Sequence, residues 1–337
     1  MRKSVEVIVQ MFIRTPPINS FNASQNMKTI IVTGGCGFIG NHLCKRLLAE
    51  GNRVICVDNL ITGCMDNIST LFANPNFVFV ESDIENIKLP ERFDQLYNLA
   101  CPASPIQYKK HPMETIKSST VGLFNLLSQV KKVNARFLQS STSEIYGDPL
   151  QHPQKESYFG NVNCFGDRSC YDEGKRCAEA ILFSSDVDFR IARIFNTYGP
   201  AMAVNDGRVV SNFIVNAIQN KDLKVFGSTT TRSFCYVDDT VDGLIKLMNS
   251  DYRLPMNIGN YQEMTILHLA TIIKRLLHSE SKINICESVK GDPHKRKPDI
   301  MKAEDILNWH PKTDLEIGLK KTIKYFKKGV KIKWKIN

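Results

Sequence analysis

Lys28-Thr-Ile-Ile-Val-Thr33 runs directly into Gly34-Gly-Cys-Gly-Phe-Ile-Gly40 and then into the segment Asn41 to Glu50, which stops at Gly51. The apolar, β-branched run bounded by glycine predicts a buried strand, and the segment behind the glycines, amphipathic and closed by Gly51, predicts a helix. Glycines at such a strand-to-helix turn let backbone approach a pyrophosphate, whose charge is favoured by the free N–H groups at the helix start. Gly34 and Gly37 are therefore candidate dinucleotide contacts. Arg53-Val-Ile-Cys-Val-Asp58 follows as a second strand, and its terminal acid stands 18 residues past Gly40, where a ribose needs an acceptor. A glycine triplet alone is weak evidence, but strand, turn, helix, strand and acid in this order are strong. A carboxylate at Asp58 repels a 2'-phosphate, so NAD is expected rather than NADP.

Working outward, strands are expected near 77–83, 95–100, 135–142 and 188–195, with helices near 111–131 and 171–185. This βα alternation predicts an α/β protein with a Rossmann-like, doubly wound parallel sheet. Beyond Gly199-Pro200, short strands (223–226, 256–259, 283–287) mix with helices near 208–219, 238–249, 265–278 and 315–328, as expected of a smaller C-terminal substrate-binding lobe. The expected organisation is an NAD-binding domain over 27–200 with some later segments folding back onto it, and a lobe mainly over 201–330. Residues 1–26 are expected to be a disordered extension or an upstream start ahead of Met27, and 331–337 a basic tail.

The 337 residues carry a net charge of +10, but eight lysines crowd between Lys320 and Lys335, as on a solvated helix face. No nucleic-acid reading module accompanies them, so no nucleic acid is expected as partner. No run reaches the roughly 20 apolar residues needed to span a bilayer, so no membrane partner is expected either. The weak apolar run Val5 to Ile13 is interrupted by Glu6 and Gln10 and lacks a small-residue cleavage site. The ten cysteines show no close metal-type pairs and read as reduced thiols of a cytoplasmic protein, with no metal expected.

Catalytic candidates stand in Ser169-Cys-Tyr-Asp-Glu-Gly-Lys-Arg176. Tyr171 and Lys175, four apart on a helix, share one face. A phenol titrates near pH ~10, so a Tyr acting as base at neutral pH needs a cation beside it, which Lys175 can supply. Tyr-x-x-x-Lys is common on ordinary amphipathic helices. What lifts it here is Ser140-Ser-Thr-Ser-Glu144, at the end of an apolar strand about thirty residues upstream, together with the glycine turn.

With those motifs in hand, the chain resembles the extended short-chain dehydrogenase/reductases, and within them the UDP-glucuronate decarboxylases (UDP-xylose synthases), from about Met27 to Phe326. The resemblance rests on the glycine turn, Pro102-Ala-Ser-Pro105, Ser141-Thr-Ser-Glu-Ile-Tyr-Gly-Asp148, the Tyr171 motif, Arg193-Ile-Phe-Asn-Thr-Tyr-Gly-Pro200, Asp206-Gly-Arg-Val-Val-Ser-Asn-Phe213 and Arg296-Lys-Pro-Asp-Ile300. It implies that Tyr171 takes the proton of the sugar 4-hydroxyl while C4 gives hydride to NAD, with Lys175 and Thr142 assisting. The resulting ketone makes the C6 carboxylate a β-keto acid, which loses carbon dioxide without a metal. Glu144 and Ser143 join the implied catalytic set; Lys117 meets the sugar acid; Asn196, Arg232 and Arg296 hold the UDP diphosphate. Phe38, Ile39, Asn59, Thr62, Asp83, Leu99, Cys101, Ser118, Ser140, Thr197 and Arg208 are the remaining implied cofactor positions. A homodimer through the helices near 111–131 and 171–185 is also implied.

The chain departs from that pattern at several places. Cys64 and Met65 stand where the family has a basic pair, Ser119 where it has Asn, Ala201 where it has Arg, and the stretch from Arg176 to Phe189 is shorter. Competing expectations are a nucleotide-sugar 4,6-dehydratase or 4-epimerase, a decarboxylase that releases the 4-keto pentose, and a dinucleotide-sensing binding protein. The dehydratase needs an acid beside the Thr, and Ser143 is too weak an acid for that task. The sensor has no need of Tyr171 and Lys175, both of which are kept.

Overall fold

The structure, a computed structural model, describes residues 27–287 and 294–333; the expectations for 1–26 and for the last four residues of the basic tail lie outside them. In chain order the first part is β1 (Thr29–Thr33), α1 (Phe38–Ala49), β2 (Arg53–Asp58), β3 (Phe77–Glu81), β4 (Gln95–Asn98), α2 (Pro105–Lys110), α3 (Pro112–Ser119), α4 (Val121–Val133), β5 (Arg136–Thr142), α5 (Ser169–Phe183) and β6 (Phe189–Ile194). The remainder is β7 (Thr197–Tyr198), α6 (Val209–Ile218), β8 (Leu223–Phe226), β9 (Thr231–Ser233), β10 (Cys235–Tyr236), α7 (Val237–Asn249), β11 (Pro255–Ile258), β12 (Glu263–Thr265), α8 (Ile266–Leu277), β13 (Ile283–Cys286), β14 (Lys295–Arg296), α9 (Met301–Leu307) and α10 (Leu315–Lys333).

The main sheet has the order β11-β6-β5-β4-β1-β2-β3, and each of its pairings is parallel. It is the doubly wound sheet expected from the alternation. Both faces are covered because successive side chains of a strand point to opposite sides. Ile30 and Val32 of β1 join one buried cluster with Leu43 and Leu47 of α1. Ile31, between them, joins another with Leu123 of α4 and Leu182 of α5. The strand order reverses between β1 and β4, which opens a crevice at their carboxyl ends, where ligands of such sheets bind.

Two elements differ from the sequence expectation. The strand expected near 256–259 within the C-terminal lobe is β11, which pairs with β6 on the edge of the main sheet, Met256 opposite Ala192 and Ile258 opposite Ile194. Burial decides this: Met256 and Ile258 are fully buried in the core cluster that also holds Val241 and Leu244 of α7. The single helix expected over 111–131 is two, because Thr120 leaves helical geometry at φ −124°, ψ −79°. Its hydroxyl donates to the Ile116 carbonyl at 2.8 Å. Gly122, two residues on, lies so close to Ile84 that a Cβ would stand 2.6 Å from the side chain.

The C-terminal lobe consists of small sheets, β12-β9-β14 and β13-β8, over α6 and α8. Trp309, after α9, locks this side onto α7: it is 1% exposed, its indole N–H donates to the Asp239 carbonyl at 3.1 Å, and its ring lies against Gly243. Trp309→Ala is expected to lower the unfolding free energy by about 3–5 kcal/mol, the range for truncating a buried aromatic. Trp309→Phe should cost less, and urea midpoints of the two variants check the order.

Candidate active site

A cavity of about 1750 Å³ extends from the glycine turn, past the ends of β4 and β5, to β8 and β9 of the C-terminal lobe. The candidate residues of the glycine turn, together with Asp58, Asn59, Thr62 and Asp83, line one end. Leu99, Cys101, Ser118, Ser140, Thr197 and Arg208 line its middle along with Thr142, Ser143, Glu144, Tyr171 and Lys175, and Asn196 and Arg232 face the far part. Lys117 and Arg296 are not on the wall. Lys117 is half exposed, with its ammonium 4.0 Å from Glu85. Arg296 is 0% exposed and lies behind the wall.

β5 ends in Thr142, whose hydroxyl caps the following turn by accepting from the Glu144 N–H at 3.2 Å. That turn carries Ser143 and Glu144 beside the amino end of α5, the helix of Tyr171 and Lys175. The helical spacing places the Lys175 ammonium 5.8 Å from the centre of the Tyr171 ring, and the ammonium donates to the Ser140 carbonyl at 2.9 Å. Burial pushes the Tyr171 phenol well above its usual range, and the neighbouring Cys101 and the Glu144 carboxylate add to this, against a hydrogen bond with Thr142 and the cation of Arg208. The phenol therefore rests protonated. Tyr108 of α2 stacks on it with centroids 5.0 Å apart and planes 7° apart, and the Tyr108 hydroxyl is buried without a hydrogen-bond partner on the cavity wall.

Glu144 is the electrostatic centre. Burial alone would raise its pKa, but Arg296, Arg168 and Arg232 outweigh that and hold it below the usual carboxylate range. Arg296 donates to Glu144 Oε2 at 3.2 Å and to the Ser143 carbonyl at 2.7 Å, and Arg168 pairs with the same carboxylate. The Ser143 hydroxyl donates to Glu144 Oε1 at 3.4 Å. Asp172 has the opposite fate: burial, with the charge on Glu144 second, pushes its carboxyl up to about 7 against Arg168 and Arg296.

Tyr108, Arg168 and Asp172 were not identified from sequence. Arg168 and Asp172 stand four apart, a spacing that pairs an acid with a base on a helix, and it was the one available signal. Tyr108 gave none, since its helix follows the family-typical Pro102-Ala-Ser-Pro105 and only the fold turns it toward Tyr171.

The residues fit a dinucleotide. A Cβ on Gly40 would stand 2.2 Å from the Gly34 carbonyl, and one on Gly34, at φ +70°, would meet the Leu99 backbone at 2.7 Å, so the turn leaves its open side to a ligand. Asp58 accepts the Cys36 N–H at 2.9 Å and the Leu60 N–H at 2.8 Å. Because a carboxylate has about four acceptor positions, it keeps capacity for a ribose hydroxyl. Asn59 donates to Asp83 at 2.8 Å, joining two of the expected cofactor positions. At the other end the Asn196 side-chain amide is buried on the wall without a partner, as suits a donor awaiting an anion. Among the departures, Cys64 lines the cavity, Ala201 lines it at φ +68°, and Ser119 is buried against Gly174.

A doubly wound sheet with the glycine turn, Thr142, Tyr171 and Lys175 on one cavity defines an NAD-binding enzyme of the extended short-chain dehydrogenase/reductase class. Residues 31–322 match the family model described as GDP-mannose 4,6 dehydratase. UDP-glucuronic acid decarboxylase 4 of Arabidopsis thaliana is 50% identical over 306 residues, 89% of this chain and 69% of the relative; UDP-glucuronic acid decarboxylase 1 of Xenopus tropicalis is 45% identical over 333 residues, 97% and 79% respectively. The chain belongs to the UDP-glucuronic acid decarboxylase family. A solved structure of UDP-glucuronic acid 4-epimerase from Bacillus cereus, in complex with UDP-glucuronic acid and NAD, is 27% identical with a TM-score of 0.81, covering 89% of this chain and 99% of that one.

Gly40→Ala tests the cradle. Its methyl would collide with backbone rather than with a movable side chain, and overpacking of this kind costs about 1–3 kcal/mol. NAD affinity measured by fluorescence titration should fall about tenfold or more, with the fold retained by circular dichroism.

Proposed function

We propose that this protein decarboxylates UDP-glucuronate to UDP-xylose, with NAD oxidising C4 transiently and returning the hydride. The observation that carries this is the buried, ionised Glu144 beside Thr142 and Tyr171, with a hydroxyl at Ser143 where a dehydratase needs an acid. Relatives about half identical, named for this activity, support it. NAD, held by the glycine turn and Asp58, would supply the hydride acceptor and then the donor. Tyr171, which burial keeps protonated at rest, first gives its own proton to solvent, and as phenolate removes the proton of the 4-hydroxyl and later returns it. Thr142 hydrogen-bonds the phenol and orients that hydroxyl, and Lys175 stabilises the phenolate from the same helical face. Once C4 is a ketone, the C5–C6 bond breaks, its electrons pass into an enolate as carbon dioxide leaves, and a proton from water is taken up at C5 before the hydride returns to C4, so no metal is needed. Glu144 is assigned the part of the sugar around C5 and C6. Asn196 and Arg232 hold the diphosphate, because a doubly anionic group needs charge-assisted donors. Arg296 acts behind the wall through Glu144 and the Ser143 carbonyl, in place of the direct diphosphate contact expected from sequence. Lys117 comes to the sugar acid only by leaving Glu85.

The purified protein should release carbon dioxide from UDP-glucuronate with catalytic NAD and give UDP-xylose without a sustained rise in NADH absorbance. Tyr171→Phe, which keeps the ring and removes the titrating oxygen, should abolish turnover and leave NAD binding nearly intact. Stoichiometric NADH with a keto pentose would replace the xylose assignment. A 4-epimer with no carbon dioxide would replace the decarboxylase assignment.

We infer a homodimer through α3, α4 and α5. Met113, Ile116, Val121 and Phe124 are exposed on the first two, and Phe183 is exposed at the end of α5. Apolar side chains gathered on adjoining helices are the pattern of a covered face. We further propose that the protein works in the cytoplasm, a reading supported by its ten free thiols. Among the described residues, no helix is long and apolar enough to cross a membrane. Sedimentation at micromolar protein should show a dimer, and Phe124→Glu should shift it toward monomer.

A further inference from the structure

Asp172 follows Tyr171 directly and takes no part in the mechanism above. It is 6% exposed and lines the cavity. Its Oδ1 is buried without a hydrogen-bond partner. Oδ2 lies 3.7 Å from the Arg168 guanidinium, which at the same time pairs with Glu144. Among the described residues, one cation thus serves two carboxyls. The charged and titratable groups acting on Asp172 there include Arg168 and Glu173 at the start of its own helix, Glu144 after β5 and Arg296 of β14, and it in turn acts on Tyr108 of α2 and on the neighbouring Cys170.

A hexuronate bound with C4 at Tyr171 brings its carboxylate two bonds from C4, into this same end of the cavity. A third negative charge must then be accommodated. Glu144 is held ionised by its arginines, so Asp172 is the carboxyl that can yield. As an acid it loses its repulsion toward the newcomer, loosens its hold on Arg168, and offers an O–H donor in place of an acceptor without a partner. We propose that Asp172 is a positioning residue that takes up a proton from solvent when UDP-glucuronate enters, directing Arg168 toward the substrate carboxylate while Glu144 stays ionised. The proton returns to solvent when the product, which has lost that carboxylate as carbon dioxide, departs. This rests on the assignment of UDP-glucuronate as substrate.

The protonation is within reach, since burial and Glu144 already push Asp172 up to about 7. The sign follows. Below that pH Asp172 carries its proton and the anion binds without repulsion; above it, binding must also take up a proton, so kcat/KM for UDP-glucuronate falls by up to about tenfold per pH unit while kcat changes little. Asp172→Asn is permanently neutral. It should keep the low-pH plateau of kcat/KM within about threefold and lack this fall. Independently, calorimetry of NAD-loaded Tyr171→Phe near pH 7.5, in buffers of different ionisation enthalpy, should show proton uptake with UDP-glucuronate and almost none with UDP-xylose; adding Asp172→Asn should remove the uptake. Should Asp172→Asn fail to fold, the comparison of the two nucleotide sugars decides alone. The same basic limb in wild type and Asp172→Asn, equal uptake with both sugars, or a folded, NAD-binding Asp172→Asn inactive at every pH would each overturn the proposal. No carbon dioxide from wild type at any pH overturns the substrate assignment and Asp172's role with it, whereas carbon dioxide with unchanged limbs overturns only the latter.

Discussion

A negative charge buried at Glu144 obliges the protein to bring cations to it. An isolated ion in a low-dielectric interior costs several kcal/mol even after relaxation, and removing one partner of a buried pair costs about 3–5 kcal/mol. One of those cations, Arg296, comes from β14 in the C-terminal lobe, more than 150 residues along the chain from the carboxylate it serves. The pairing therefore ties the end of β5 to the small sheet β12-β9-β14, and the cavity exists where the two are held together. Arg232 of β9 is placed by the same sheet and adds to the field that keeps Glu144 ionised. Substrate grip, lobe association and the charge state of the catalytic turn are one electrostatic arrangement.

The glycine turn depends on a different constraint, close contact of backbone with backbone. Behind it lie Cys36, Cys44 and Cys56, with the first and last sulfurs 3.9 Å apart. The hydrogen bond with Cys56, and then burial, push the Cys36 thiol far above the ordinary range; Cys56, lowered by that same bond, is carried above the range by its hydrogen bond with Cys44 and by burial. They stay neutral and pack as small apolar groups, filling the space under Gly35 that a larger residue would take from the loop.

What was legible in the sequence was what is local. The turn from Thr33 to Gly40, the acid at Asp58 and the four-residue spacing of Tyr171 and Lys175 carry their geometry within a few residues, and they stand together on the cavity as their spacing implied. Thr120 was hidden because its run is periodic on both sides, whereas the close packing of Gly122 against Ile84 just beyond it is a contact between residues distant in sequence. Arg296 and Arg232 look alike in sequence; burial separates one behind the wall from one on it. The opposite protonation of Glu144 and Asp172 was equally unreadable, since it arises from which arginines the fold delivers to each. The edge strand β11 was assigned to the lobe because a short buried run carries no mark of the sheet it joins.

That edge strand also sets an order of events during synthesis. Until Pro255–Ile258 is made, β6 is the border of the sheet, with a row of unpaired backbone groups and with Ala192 and Ile191 beside them. At about 5–20 residues per second, translation from Ile194 to Pro255 leaves this border open for several seconds, and an open, apolar strand edge is a template for pairing with another chain. The nascent protein is thus most exposed to misassembly after its cofactor domain has emerged from the ribosome and before its last parallel strand arrives, an interval in which early NAD binding or a chaperone has the most to protect.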